Sequence, residues 1–172
     1  MKKYILPLVL LGLLELNAQA YPRLGDPHEL KFNIGGFLAT TGIEGSYEYF
    51  LNEDVSLGGT LYVDGDAEDF NGNFGIGPNL RAYFGFQPRS GFFAETFMLY
   101  YTGEDQDGTN NGIAFNNTYN TWALGLGLGK KWVTRSQRFT LELHGGLGRN
   151  LNPEDFQDSF MYRLGLSVGF RF

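Results

Sequence analysis

The sequence predicts an all-β fold, an eight-stranded antiparallel up-and-down barrel, and three observations support this fold class. Apolar and polar side chains alternate with period two in eight segments, as in strands whose two faces differ. Short turns and longer loops alternate between most of these segments. The chain is rich in glycine, with 25 of 172 residues, and 16% of it is aromatic. This combination favours a tightly curved sheet over a disordered chain.

Residues 1–20 have the pattern of a cleaved signal peptide. Lys2 and Lys3 precede an apolar run, and small residues come before a cleavage point after Ala20. An uncleaved anchor is the alternative, but the apolar run is short for a bilayer-spanning helix and contains Glu15. We therefore expect the protein to be exported from the cytoplasm.

The remaining chain divides into a lead-in and a single barrel domain. Residues 21–28 are polar and contain two prolines, so we expect an extended periplasmic segment before a barrel at 29–172. The formal net charge is −6, which argues against nucleic acid as a partner. The chain has no cysteine, which excludes a disulfide framework.

The first four predicted strands include one irregular position. These strands span residues 29–39, 43–51, 55–64 and 74–84. A tight turn at residues 40–42 is expected to join the first two. Pro78 falls within the fourth strand, and proline cannot donate a ladder hydrogen bond, so we expect a local bulge there.

The last four predicted strands contain both tryptophans of the chain. These strands span residues 92–101, 119–132, 138–150 and 160–172. Trp122 and Trp132 share one face of the sixth strand, ten residues apart. That spacing corresponds to roughly 25 Å of depth for a tilted strand, which matches the two aromatic belts of a membrane barrel.

The final strand has the strictest alternation. Its apolar face is formed by Leu164, Leu166, Val168, Phe170 and Phe172. An alternating strand that closes on an aromatic residue resembles the export and assembly signal of bacterial outer-membrane barrels. The resemblance implies that the barrel assembly machinery is a partner during biogenesis.

The arrangement of the connections favours a membrane barrel over soluble alternatives. After the first hairpin the links alternate short and long, as in barrels with short periplasmic turns and longer extracellular loops. A β-sandwich has no reason to place its long loops at one end, and a lipocalin-like barrel would turn its apolar face inward. The signal peptide, the eight strands and the terminal LGLSVGFRF together resemble the small outer-membrane barrels of the OmpA and OmpX type. Residues 77–91 also resemble uncharacterised outer-membrane proteins of this size. The resemblance implies an outer-membrane location among lipid and lipopolysaccharide.

The inward faces of the predicted strands collect charged side chains. They are Lys31, Glu44, Glu48, Arg81, Glu95, Lys131, Glu142, His144, Arg163 and Arg171. Because eight strands enclose a narrow interior, we expect these groups to form a plug of ion pairs. Arg81 and Glu95 lie nearly opposite each other across a short turn, so we expect them to pair directly. A narrow ion path is the alternative.

Catalysis and cofactors find little support in the sequence. Glu142 and His144 lie two residues apart on one strand face with no serine placed beside them, so we expect no enzymatic activity. The longer loops are acidic, and Asp64, Asp66 and Glu68 are weak candidates for cation ligands. Solvated loop tips that resist aggregation are the favoured interpretation of these carboxylates, and divalent ions that bridge the loops to lipopolysaccharide are an alternative supported by charge alone. We expect no cofactor.

These observations favour a structural or loop-mediated interaction role in the outer membrane. The alternative is a narrow pore for ions or small solutes. A lipid-modifying barrel enzyme is a third and weaker hypothesis.

Overall fold

The computed structural model describes residues 26–40, 42–65, 72–85, 87–105, 109–110, 113–114, 117–154 and 157–172. Within these residues the strands are β1 (His28–Asn33), β2 (Ile43–Phe50), β3 (Val55–Val63), β4 (Phe74–Phe84), β5 (Gly91–Asp105), β6 (Thr109–Asn110), β7 (Ile113–Ala114), β8 (Asn117–Val133), β9 (Phe139–Asn150) and β10 (Phe160–Arg171). Eight of them close into an antiparallel barrel in the order β1-β10-β9-β8-β5-β4-β3-β2, which confirms the predicted fold class. The predicted signal peptide and residues 21–25 of the lead-in lie outside the described residues.

The longest predicted loop is partly strand. β5 and β8 pair as far as Asp105 and Asn117, so both continue beyond the strand ends that the sequence predicts. β6 and β7 form a separate two-stranded sheet between them. The loop end of the barrel is therefore extended on the β5–β8 side.

The first predicted strand is too long, and the tight turn after it is wrong. The strand ends at Asn33 and is followed by a short helix, α1 (Ile34–Ala39). The Asn33 side-chain Oδ1 accepts hydrogen bonds from the backbone N–H of Gly36 at 2.9 Å and of Leu166 at 3.2 Å. It caps the helix and also occupies the next donor of β10, so the β1–β10 ladder stops at this residue.

The early end of β1 leaves an opening in the strand wall. β1 and β10 pair only from Asn33 with Ser167 to Glu29 with Arg171, while β10 continues to Phe160. The helix α1 covers part of this free edge. A Cβ added at Gly35 would lie 2.9 Å from the Cβ of Leu166, so glycine permits the close approach.

The bulge predicted at Pro78 is absent. Pro78 pairs with Gly59 of β3 in a ladder without interruption. On the β5 side, Ile76 pairs with Tyr100 and Asn79 with Phe97, which is the same register before and after the proline. The missing N–H therefore interrupts the pairing locally without shifting it.

The outward faces of the barrel strands are apolar and exposed. Along β10 the side chains alternate strictly between exposed and buried. Leu164 on β10 is 78% exposed and Leu126 on β8 is 71% exposed. Among the described residues, none of the helices has the length and apolar character that crossing a membrane requires.

Candidate functional site

Among the residues that the structure describes, one connected network inside the barrel joins equal numbers of basic and acidic side chains. The basic members are Lys31, Arg81, Lys131, Arg163 and Arg171. The acidic members are Glu29, Glu44, Glu48, Glu95 and Glu142. Strand alternation brings them together, because each occupies an inward-facing position of its strand. The five positive and five negative formal charges cancel, as buried charges require.

Glu48 occupies the centre of the network. Its carboxylate lies 2.9 Å from the Lys31 Nζ and 2.7 Å from the Lys131 Nζ. It also accepts hydrogen bonds from the Ser56 hydroxyl at 2.5 Å and from the Tyr83 hydroxyl. Arg81 Nη1 lies 3.4 Å away, so five donors surround this carboxylate and compensate for the loss of its hydration.

Glu142 approaches the same cations from the other side of the barrel. Arg81 Nη1 donates to both of its oxygens at 2.8 Å, and Lys31 Nζ lies 3.2 Å away. His144, which follows on the same strand face, places Nδ1 3.5 Å from the Glu142 carboxylate. That nitrogen is buried and has no hydrogen-bond partner.

Arg81 and Glu95 are directly paired, as their nearly opposed positions suggest. They are register partners on β4 and β5, and Arg81 Nε lies 2.5 Å from a Glu95 oxygen. Glu95 in turn contacts Arg163 at 3.3 Å. Arg163 also lies 3.1 Å from Glu44, which is the most exposed acid of the network. This chain of pairs links the centre of the barrel to its loop end.

Glu29 is the member of the network that sequence reasoning missed. Its carboxylate lies 3.1 Å from Lys131 and 2.8 Å from Arg171, and it accepts a hydrogen bond from Thr140. The signal was present in the sequence, since Glu29 is two residues before Lys31 and therefore on the same strand face. Its place at the first position of the predicted strand obscured it.

The network does not provide a metal site. The carboxylates of Glu29, Glu48 and Glu142 lie within 4.8 Å of one another. The Lys131 ammonium is 3.1, 2.7 and 3.3 Å from the three, respectively, and so occupies the position that a cation would take. Of the loop candidates, Asp64 accepts a hydrogen bond from Thr40, whereas Asp66 and Glu68 lie outside the described residues.

Two hydrophobic clusters lie on either side of the charged centre. Phe50, Tyr83 and Phe93 form the cluster toward the short turns, and the other contains Phe97, Leu99, Tyr101, Ala123 and Met161. The Lys131 ammonium lies 5.2 Å from the Phe50 ring centroid, and the Arg81 guanidinium lies 4.6 Å from that of Phe93. Such contacts stabilise cations that have left water. The sequence concealed these clusters because apolar residues occupy both faces of β5.

Arg89 covers the network at the short-turn end. Its guanidinium lies 5.2 Å from the Phe50 ring centroid, and its carbonyl accepts a hydrogen bond from Arg171 at 2.5 Å. Partial burial, with Arg171 nearby, lowers the pKa of the Arg89 guanidinium. The turn thus closes the interior over the aromatic cluster.

The predicted belt and assembly residues lie on the outside of the barrel. Trp122 packs against Tyr100 with ring centroids 5.2 Å apart. Trp132 lies near the opposite end of β8, where the Lys130 ammonium is 5.3 Å from its ring. The predicted assembly residues are all exposed; they are Leu164, Leu166, Val168, Phe170 and Phe172.

Comparison with known proteins finds a solved structure of similar fold. No protein-family model and no curated protein sequence matches the chain. The structure is similar to the N-terminal β-barrel domain of Pseudomonas aeruginosa OprF, with a TM-score of 0.53 and 18% sequence identity. The match covers 84% of this chain and 95% of that one. The predicted resemblance to small OmpA-like barrels is therefore confirmed for the fold, a closed eight-stranded antiparallel barrel similar to that domain.

Proposed function

We propose that the protein is a bacterial outer-membrane β-barrel with a structural or loop-mediated interaction role and an interior closed by its own charged side chains. One observation carries the proposal: the barrel is apolar outside and charged inside. Large exposed apolar residues surround it, including Leu61, Leu80, Leu126 and Leu143. A soluble monomer rarely exposes an apolar patch of more than a few hundred Å². A bilayer removes the free-energy cost of exposing this apolar surface to water.

The density of the ion-pair network supports a closed interior. Eight strands enclose a space that side chains can just fill. Glu48 and Glu142 are each surrounded by Lys31, Arg81 and Lys131, so the interior at this level is crossed by mutually restraining ion pairs. Moving an ion through it would require breaking several of these pairs at once.

The loop end and the outward face of β10 supply the proposed partners. Glu154 and Asp158 are exposed acids beyond the end of β9, and we propose that such loop carboxylates meet lipopolysaccharide through divalent cations. The outward residues of β10 are proposed to be recognised by the barrel assembly machinery during biogenesis. The proposal assigns the protein no enzymatic activity.

Planar-bilayer recording separates the structural role from the pore. For the purified, refolded protein we expect no steady conductance, because the interior pairs block ion passage. A steady, ion-selective conductance that changes on Arg81→Ala or Glu95→Ala would instead support the pore. The OprF barrel domain, which has a similar fold, serves as a reference for insertion into the same bilayers.

Complementation of a deletion strain tests the role itself. The full protein is compared with a variant in which residues 106–116 are replaced by a short Gly-Ser linker. If the barrel alone stabilises the envelope, both restore resistance to detergent. If the replaced loop acts on a partner, only the full protein does. Failure of both, at normal outer-membrane levels, would contradict the proposed role.

A further inference from the structure

A cavity of about 600 Å³ lies where β1 stops and α1 begins. It is bounded on one side by outward-facing side chains of β9 and β10 and on the other by inward-facing side chains of the barrel. The outward set is Leu143, Leu164 and Leu166, and the inward set includes Glu44, His144 and Arg163. A cavity bounded by both faces of one sheet passes through the wall. It connects the interior with the surroundings of the barrel.

The outer half of this opening is apolar and free of bulky side chains on its helical side. Gly35 and Gly36 of α1 line it, opposite Leu164 and Leu166 of β10. Gly165, between the two leucines, also lines the opening, and a Cβ at this position would overlap the His144 ring. The width of the opening therefore depends on glycines. A hydrocarbon chain matches this half in polarity.

The inner half carries hydrogen-bonding groups. Glu44 accepts from Arg163 at 3.1 Å and from the Asn33 amide at 2.9 Å. The Nδ1 of His144 is turned toward Glu142 at 3.5 Å, and the Cε1–Nε2 edge of the ring lies next to Gly165, which lines the opening. A ligand hydroxyl in the opening can therefore pair with the Nε2 of this imidazole.

The charges in the inner half decide the kind of headgroup. Arg163 is already matched by the carboxylates of Glu44 and Glu95, and Asp64 adds a further acid to the lining. An anionic headgroup would meet more negative than positive charge at this point. A neutral hydroxylated headgroup can donate to a carboxylate and also pair with the imidazole nitrogen.

We propose that this opening binds a single-chain amphiphile with an uncharged, hydroxyl-bearing headgroup. The chain lies outward along Leu164 and Leu166, and the headgroup lies inward against Glu44 and His144. The inference rests on the proposed membrane location, since the surrounding bilayer is the source of such a ligand. It adds a binding site in the barrel wall to the structural role.

Paramagnetic NMR in phosphatidylcholine nanodiscs tests the site directly. The probe is a monoacylglycerol that carries a nitroxide at mid-chain, added to the isotope-labelled, refolded protein. We expect line broadening at the amides of Gly165 and Leu166 that exceeds the broadening at Leu80, an outward-facing residue of β4 on a distant part of the barrel. The excess should saturate with probe and disappear when unlabelled monoacylglycerol is added.

Two variants and a second probe make the outcome decisive. Gly165→Leu fills the opening. Leu164→Trp narrows its outer half from an exposed position that tolerates a large side chain. Both variants should abolish the excess broadening, whereas the control Leu80→Trp should leave it unchanged. Equal broadening around a folded barrel would overturn the binding site while leaving the barrel proposal intact. Stronger, saturable broadening by a nitroxide fatty acid would overturn the neutral headgroup. Failure of the protein to enter nanodiscs would overturn the membrane proposal itself.

Discussion

At the scale of single residues, the barrel depends on a few carboxylates that each hold several cations. Glu48 is the clearest case, because Lys31, Lys131 and Arg81 all lie within 3.4 Å of its carboxylate. Removing one member of a buried ion cluster leaves the others without compensation, and this costs more than the pairs contribute when intact. The network therefore constrains which substitutions the interior tolerates.

Glu48→Gln should lower the free energy of unfolding by about 3 to 5 kcal/mol, because three buried cations lose their shared negative charge. The measurement is urea unfolding in phospholipid vesicles, followed by tryptophan fluorescence. The matched control is Glu53→Gln in an exposed turn, which should change stability by no more than about 0.5 kcal/mol. Equal effects of the two variants would contradict the central position of Glu48.

The sequence predicted which residues face inward better than it predicted their partners. Strand parity alone indicated nine of the ten charged network members and also His144, and the direct pair of Arg81 and Glu95 followed from their places beside one turn. The contact of Arg81 with Glu142 could not be predicted in this way. It joins strands on different parts of the barrel, so it depends on the closure of the sheet and on the reach of both side chains across the interior.

At the scale of elements, one asparagine determines where the first strand ends. Asn33 caps α1 through the Gly36 amide, occupies the Leu166 amide of β10, and donates to Glu44. These contacts join the helix, the closing strand and the ion network. The irregular part of the barrel wall is therefore organised by a single side chain.

Asn33→Ala should destabilise the barrel by about 0.5 to 2 kcal/mol, the usual cost of losing an N-cap. Hydrogen exchange gives the sharper reading. We expect the amides of Gly36 and Leu166 to lose protection together, because both donate to the Asn33 side chain. Asn52→Ala is the control, since Asn52 accepts from the amides of Asp54 and Val55 in a turn at the other end of the barrel. Protection retained at Gly36 and Leu166 in Asn33→Ala would refute this role.

The segment that forms α1 shows why alternation misled the prediction. Residues 34–39 read as a continuation of the first strand, but Ile34, Phe37 and Leu38 also have helical spacing. Six residues are too few to decide between the two periods. The capping contacts of Asn33 and the glycine approach to β10 decide it, and neither is visible without the neighbouring strand. At Pro78 the sequence predicted an irregularity that the structure lacks. The proline alone indicated a bulge, but the regular pairs on both sides of it keep the strand register.

At the scale of the whole molecule, we expect the outer face of the barrel to be in contact with lipid. Leu126→Arg, on the outward face of β8, should cost about 2 to 4 kcal/mol in vesicles if it lies near the bilayer midplane. Leu151→Arg is the control, because Leu151 is also an exposed leucine but lies just beyond the end of β9. Urea unfolding in vesicles compares the two. A cost that is the same at both positions would argue against a bilayer around the middle of the barrel.

The apolar outer face of the barrel should lie in a membrane, and cysteine accessibility measures this at single residues. The chain has no cysteine of its own, so single cysteines can be placed without a background. In isolated outer membranes whose two sides are both accessible to the reagent, a membrane-impermeant maleimide should label Ser136→Cys in an exposed turn. It should fail to label Leu124→Cys, Leu126→Cys and Leu128→Cys on β8 until the membrane is dissolved. Labelling of all three leucine positions at the rate of the turn, in folded protein, would contradict the account.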